Sequence, residues 1–374
     1  LLERAINDND ARLRMVTQRR GVRGRDATEA AVRDMKRRIG DAFDHVWASV
    51  TGPKRLIQSS YHIKVASRDD EELWLSSGNW KGSNQPVDPQ MPGALMTNNR
   101  DWHVILKNPR LASLFKRYVE FDFEEAHRVA DEAEEAPELV DVDLFVPIDV
   151  SDEARRRLPE PTYEPTLEIE NERLDVQPLL TPDRDRYGRR MFMRFATDLV
   201  RRATRTLYIQ NQSLRYTDAN NREFDAFFEA VQAKQQEIDD VRIITRDGRE
   251  FGPESAADQQ EDIERLKELG LDVSRRSLRL QRRCHTKAII VDGREVLFGS
   301  HNLTNMGSLH NRDASLLVRS AKVATFFQDV FLYDWENLTH NDAEERRGSI
   351  RRAQPGEETP PGFRRVKLSE LIED

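Results

Sequence analysis

The chain has 374 residues, carries 59 lysines and arginines against 67 aspartates and glutamates, and has a formal net charge of −8. That length suits one large two-lobed domain or two domains, each burying a core. No apolar run approaches the ~20 residues that cross a bilayer, so the chain reads as soluble, with no transmembrane segment, and would meet a lipid only at an interface. The acidic balance argues against a surface dedicated to coating nucleic acid, although local arginine clusters can still form a basic groove. The single cysteine, Cys284, excludes an intrachain disulfide.

The chain opens on Leu1 without the basic, apolar and small-residue pattern of a signal peptide. Arg12 to Thr17 (RLRMVT) reads as a buried strand entering a loop, and Val241 to Arg246 (VRIITR) is similar to it. Upstream of that point the halves differ. The later half has Leu174 to Leu180, a helix pattern at Phe192, Phe195, Leu199 and Val200, and the strand Thr206 to Gln210, and nothing before His62 corresponds to them. The expectation is that the first half lacks a strand–helix–strand unit and that the N-terminus is incomplete, which leaves a cytoplasmic and a secreted protein both open.

Thr28 to Val50 is predicted helical from Ala31, Val32, Met35, Ile39, Phe43 and Val46, with Thr28 at its start. Leu56 to Val65 is predicted to be a strand carrying His62 and Lys64. Two residues apart, their side chains point to one side of an extended chain and can converge on a small anion. Asp69 follows, then the paired strand Glu72 to Leu75 and the loop Ser76-Ser77-Gly78-Asn79. Residues 80–98 lack periodicity and read as a loop beside the site, bearing Trp80. Trp102 to Leu106 is predicted as a strand and Pro109 to Glu125 as a helix. Of the tryptophans near these loops, Trp74 and Trp102 are assigned to the core. From 126 to 173 the sequence turns acidic and proline-containing, as expected of a connection lying over the surface.

In the later half, Arg275, Arg276, Arg279, Arg282 and Arg283 precede Cys284, which reads as a small buried residue. Then come His285, Lys287 and Asp292, and Gly299-Ser300-His301-Asn302. His62 and His285, Asp69 and Asp292, and Asn79 and Asn302 are each 223 residues apart. Asn99-Arg100-Asp101 repeats as Asn311-Arg312-Asp313, and Phe121-Asp122-Phe123-Glu124 as Tyr333-Asp334-Trp335-Glu336, at 212. The chain is therefore read as a duplication: a first repeat at 1–125, a linker at 126–173, a second repeat at 174–338 and a loosely attached tail at 339–374.

The doubled HxKxxxxD motif followed by G-S-x-N resembles the phospholipase D superfamily, with Ser76 standing where that family has glycine. The duplication and the resemblance together imply an α/β fold of two similar αβα lobes, each with a mixed β-sheet flanked by helices, related by a pseudo-two-fold axis with one active site at their interface. The resemblance implies a covalent phosphohistidine, with His62 assigned as nucleophile and His285 as acid and base. Lys64, Lys287, Asn79 and Asn302 would hold the non-bridging oxygens, assisted by Ser77 and Ser300, so no metal or cofactor is expected. Asp101 and Asp313 are the candidates to orient the imidazoles. Asp69 and Asp292 complete the catalytic motifs and are read as bracing them. Trp80, Arg279 and Arg283 are the substrate-binding candidates. The expected substrate is a phospholipid headgroup at a membrane surface. Nucleic acid on the same scaffold, or an inactive phosphate-binding module, are the alternatives, and the oligomeric state is left open.

Overall fold

The structure is a computed structural model, and it describes residues 2–18, 27–48, 60–85, 98–130, 143–147, 166–216, 221–251, 253–340, 351–354, 356–359 and 363–367. In chain order the first half contains α1 (Leu2–Asn9), β1 (Leu13–Thr17), α2 (Ala27–Ile39), β2 (Phe43–Trp47), β3 (Val65–Arg68), β4 (Glu72–Ser76), β5 (His103–Lys107) and α3 (Pro109–Ala130). After β6 (Asp143–Pro147) the second half runs β7 (Asp175–Thr181), α4 (Met191–Arg201), β8 (Thr206–Asn211), α5 (Arg222–Glu237), β9 (Asp240–Arg246), α6 (Pro253–Glu268), β10 (Leu278–Gln281), β11 (Lys287–Val291), β12 (Glu295–Gly299), α7 (Asn305–Leu309), β13 (Asp313–Arg319) and α8 (Ala321–Asn337). Short strands β14 (Thr339–His340), β15 (Arg351–Arg352) and β16 (Phe363–Lys367) follow.

The second half forms an eight-stranded mixed sheet in the order β14-β10-β9-β8-β11-β12-β13-β7. Its central strands are apolar on both sides. Ile289 and Val291 of β11 join one cluster with Phe192, Leu199, Phe224 and Phe227 of α4 and α5. Ala288 and Ile290 join the other with Phe327 and Phe331 of α8. Covering both faces with helices is what permits such continuous apolar strands. The second cluster also takes in Leu73, Leu75, Trp102 and Phe115 from the first half, so the two halves share one core. Trp102 lies against Phe327 with ring centroids 4.0 Å apart.

The first half repeats the order helix, strand, helix, strand, three strands, helix seen from α5 onward, apart from α7, which lies between β12 and β13. Its strands fall into two separate sheets, β1-β2 and β3-β4-β5. The break lies where β8 sits in the second half, between β9 and β11, and no described residue of the first half corresponds to β7, α4 or β8. The expectation of one mixed sheet in each lobe is thereby corrected for the first.

Four other expectations change. The helix at 28–50 ends at Ile39. Gly40 takes a left-handed φ of 62° that stops it, and Phe43–Trp47 pairs in parallel with β1. His62 and Lys64 precede β3 rather than lying within a strand, and the predicted stretch 56–59 lies outside the described residues. The linker is not plain surface chain: β6 lies between β15 and β16 in a three-stranded sheet, pairing antiparallel with both, so linker and tail hold one another. Helix α3 also continues five residues beyond Glu125. The acidic run at 131–135 and most of the loop at 80–98 lie outside the described residues.

The departure at Ser76 has a local cause. A Cβ added at Gly299 would meet the Ala314 carbonyl at 2.3 Å and Ser315 at 2.4 Å. Ser76, at the equivalent end of β4, is accommodated: its buried hydroxyl donates to the Gly78 carbonyl at 3.1 Å, accepts from the Gly78 N–H at 2.8 Å and contacts His103 Nδ1 at 3.0 Å. Denaturant unfolding should therefore show Gly299→Ser destabilised by about 3 kcal/mol, the upper end of overpacking. Ser76→Gly should lose only about 1 kcal/mol, the worth of its hydrogen bonds.

Candidate active site

His62 and His285 are placed by backbone bonds that cross between the halves. The His62 N–H donates to the Arg312 carbonyl at 2.9 Å while the Arg312 N–H donates to Ser60 O at 2.8 Å. Reciprocally, the His285 N–H donates to the Arg100 carbonyl at 3.1 Å and the Arg100 N–H to Arg283 O at 2.8 Å. These two parallel bridges, Tyr61 with Arg312 and Arg100 with Cys284, bring each histidine beside the other repeat's Asn-Arg-Asp segment.

The side chains exchange in the same way. His62 Nδ1 is 2.7 Å from Asp313 Oδ1, and His285 Nδ1 is 2.8 Å from Asp101 Oδ1. Each imidazole is thus oriented by the aspartate of the opposite repeat. With Nδ1 so engaged, Nε2 is the ring nitrogen left for chemistry. Ser77 donates to Asp101 Oδ1 at 2.8 Å and Ser300 to Asp313 Oδ1 at 2.5 Å, so both serines hold the aspartates. The arginines cross over as well. Arg100 forks onto Asp334 of α8 at 3.1 and 2.7 Å, and Arg312 reaches Asp122 of α3 at 2.5 Å, Asp183 at 3.1 Å and the Thr181 carbonyl at 3.2 Å.

Lys287 donates from Nζ to His285 O at 2.8 Å, Gln212 Oε1 at 2.7 Å and Ser77 O at 3.3 Å, its longest bond. Lys64 donates to the His62 carbonyl. Nζ of Lys287 is also 3.2 Å from His285 Nδ1, but that nitrogen carries the proton given to Asp101, so the contact acts through charge. The Asn302 amide oxygen is buried without a hydrogen-bond partner. Asn79 enters the described contacts only through its carbonyl, leaving both amides for a ligand.

The site is buried, and that sets its electrostatics. Burial lowers the His62 pKa from its ordinary value to about 4 against the pull of Asp313. Burial, with Lys287 alongside, lowers His285 to about 3. Both imidazoles are therefore neutral near pH 7. Burial brings Lys287 down to about 7, against the attraction of Asp101 and Asp313. Burial pushes Asp101 up, but its hydrogen bond from His285 and the charges nearby leave it below the usual carboxylate range. The two aspartates differ: Asn84 donates to the second oxygen of Asp101 at 2.6 Å, while the second oxygen of Asp313 is buried without a hydrogen bond.

Several expected residues stand elsewhere. Asp69 and Asp292 occupy the turns between β3 and β4 and between β11 and β12, five residues beyond the lysines and, by strand rise, roughly 17 Å away. Both are left-handed, at φ 54° and 55°, a conformation aspartate tolerates. Asp292 accepts backbone N–H groups at the start of β8, from Thr204, Arg205 and Thr206 at 3.0, 2.8 and 2.9 Å. Among the described residues Asp69 braces no such strand, and it is exposed. Both therefore stand in turns away from the two imidazoles, and Asp292 braces its turn as expected. Arg279 is likewise spent on structure, lying over the Trp335 ring at 4.2 Å and donating to its carbonyl at 2.8 Å. Arg283 contributes the carbonyl that Arg100 uses and takes a left-handed φ of 57°. Cys284 is fully buried, as expected. Trp80 is 54% exposed and meets Trp74 edge-on at 5.6 Å. Trp74, expected in the core, is half-buried and stacks on His103.

Comparison with known proteins supports the same grouping. Residues 197–335 match the family model described as "Cardiolipin synthase, PLD-like domain". That stretch of the chain is similar to a PLD-like domain. A solved structure of phosphatidylserine synthase from Haemophilus influenzae is 12% identical, with a TM-score of 0.56 over 91% of this chain and 77% of that one, and shares the mixed α/β fold. Two shorter structures also match. Nuc, a phospholipase D family member from Salmonella typhimurium, is 19% identical over 46% of this chain, and NucT from Helicobacter pylori is 14% identical over 45%; each is covered over 100% of its own length at a TM-score of 0.33. No curated protein matches the chain.

Within this site the groups that motif reading passed over are Arg100, Arg312, Asp122, Asp334, Gln212 and Asn84. The arginines and their aspartates were visible as repeated residues. Gln212 and Asn84 had no signal, since neither recurs in the other half.

Because both imidazoles titrate lower when folded than the ordinary value of about 6.5 they regain on unfolding, the unfolded chain binds more protons between about pH 4 and 6.5. Folding stability should consequently fall by a few kcal/mol as pH drops through that window. Urea midpoints at pH 7 and pH 5 measure it, and the double variant His62→Gln/His285→Gln should flatten the dependence.

Proposed function

We propose that the chain is a phosphodiesterase or phosphoryl-transfer enzyme working through a phosphohistidine on His62. The observation that carries the reading is the exchange of aspartates between two histidines, which leaves two Nε2 atoms to serve one phosphorus. Nucleophilic attack by His62 Nε2 forms the P–N bond as the P–O bond to the leaving alcohol breaks, and His285 Nε2–H protonates that oxygen. Water or an acceptor alcohol then gives its proton to the neutral His285 and attacks phosphorus, breaking the P–N bond.

Local charge supports these roles. A phosphorylated imidazole is cationic, and Asp313, whose second oxygen has no competing donor, is the better counter-charge. Lys287 beside His285 makes a proton there more acidic, and the anionic substrate supplies the charge that lets His285 acquire it. Lys64, Lys287, Asn79 and Asn302 would hold the non-bridging oxygens, with Lys287 giving up its long bond to Ser77 O. Since these residues carry the positive charge, no metal ion is assigned a step. The chemistry is the same for a phospholipid headgroup and for a nucleic-acid diester, so the choice between them falls to the groups around the cleft.

The test is alkaline quenching during turnover of bis(p-nitrophenyl) phosphate with chelator present, followed by peptide mapping under alkaline conditions. A p-nitrophenyl phosphoryl group should be found on His62 alone, and His285→Asn should accumulate it while lowering kcat by a factor of about 10² to 10⁴. Labelling of His285, or of neither histidine in an active enzyme, contradicts the assignment.

A further inference from the structure

The sheet register places a second feature at the same edge as the histidines. Strand β7 pairs with β13 so that Thr181 stands opposite Asp313, the aspartate on His62. The Thr181 hydroxyl donates to the Asn311 carbonyl at 2.6 Å and accepts from the Asp313 N–H at 3.2 Å. The loop that follows, residues 182–190 (PDRDRYGRR), thus leaves the sheet one strand spacing, ~4.8 Å, from the His62 partner. It is held at both ends: Asp183 meets Arg312 at 3.1 Å, and Arg190 lies 3.6 Å from Glu223.

The loop is also ordered internally. Asp185 accepts the backbone N–H groups of Tyr187 and Arg189 at 2.8 and 3.0 Å, the Asp185 N–H donates to Arg189 O at 2.9 Å, and Gly188 supplies the left-handed turn at φ 78°. On this frame Tyr187 is 65% exposed and flanked by two guanidiniums, Arg186 at 4.7 Å and Arg189 at 5.1 Å from its ring centre. Asp183, Asp185 and Glu223 are taken by Arg312, Arg189 and Arg190. Arg184 and Arg186 form no ion pair with any carboxylate among the described residues. The repulsion of Arg190 and Arg184 adds to burial in lowering the pKa of neighbouring His310. A chain with net charge −8 therefore keeps a local positive excess beside its active site.

We propose that this loop is a subsite for a second phosphate, next along the strand from the scissile one, and that the polyanion it accepts is a single-stranded nucleic acid. Guanidiniums suit phosphate, and an ordered loop holds them in place without the entropic cost of fixing a mobile one. An exposed aromatic ring set among them is the combination that tracks a single strand, with backbone on the cations and bases on π-faces. Trp80, beside Asn79, offers a second such face. The loop contains no aliphatic residue to meet an acyl chain. The proposal rests on the phosphodiesterase reading.

The experiment compares three substrates in the full chain and in the variants Arg184→Glu/Arg186→Glu and Arg184→Gln/Arg186→Gln, each checked for an unchanged unfolding midpoint. Bis(p-nitrophenyl) phosphate has one phosphate and reads the chemistry alone, a short oligothymidylate has neighbouring phosphates, and phosphatidylglycerol vesicles present an anionic lipid. Both variants should raise the oligonucleotide KM by about tenfold or more and lower the slope of log KM against log salt by about 1.4, the counterion release of two contacts on a single strand. Turnover of the small diester should stay within about twofold. An unchanged oligonucleotide KM and salt slope overturn the subsite. Equal loss on the small diester makes the loop structural and overturns it too. A loss confined to vesicles reassigns the ligand to a lipid and overturns the nucleic-acid proposal. If the wild type turns over none of the three, oligonucleotide anisotropy with His62→Ala, with and without the loop changes, decides the subsite separately from the chemistry.

Discussion

The exchange of carboxylates between the halves is the constraint on which the site depends. His62 has Asp313 and His285 has Asp101, each at a buried charge-assisted hydrogen bond, so neither repeat holds an oriented imidazole by itself. The same Asn-Arg-Asp segments deliver three crossing contacts each: a carbonyl to the opposite histidine N–H, a guanidinium to the opposite C-terminal helix, and a carboxylate to the opposite ring. Buried guanidinium–carboxylate pairs such as Arg312 with Asp122 are expensive to desolvate and weak evidence for net stability, but breaking one leaves an uncompensated charge. They act as register pins. Sliding one half against the other would strand all of these charges at once.

Duplication supplies the geometry, and its imperfections make the surroundings of the two imidazoles unequal. Two identical imidazoles cannot act as nucleophile and acid at the same moment. Asn84, from the loop that is longer in the first half, quenches part of Asp101, while Asp313 keeps an oxygen without a donor. Lys287 sits beside His285, held by Gln212, the residue after β8, a strand with no counterpart among the described residues of the first half. The unequal parts of the two repeats thus give the two histidines different surroundings within a buried site, where small charge differences count for more.

Much of this was legible in the sequence. The recurrences at offsets of 223 and 212 singled out both histidines, both lysines, the serines and the aspartates Asp101 and Asp313 that the structure brings together. They could not say that the aspartates are exchanged, because a repeat spacing is the same whether pairing is within a half or across. Asp69 and Asp292 recur for the conformational reason that a tight turn needs a residue able to adopt positive φ, which a motif counts as readily as a catalytic group. The apolar spacing of 28–50 continued past Gly40 because Phe43 and Val46 suit a buried strand as well as a helix. The pairing of β6 with the tail escaped notice because its partners are some two hundred residues apart with no local pattern between them. The arginines at 275–283 drew attention by number, whereas those of 182–190 count by where the register of β7 puts them.

One oxyanion serving two imidazoles is the core of the account. An experimental structure with orthovanadate bound reads this directly. The account expects a single vanadate with Nε2 of His62 bonded at one apex and Nε2 of His285 facing the opposite apical oxygen, each ring still on the other half's aspartate. Two anions, one per histidine, or one anion bound by a single histidine with the other turned away, would contradict it.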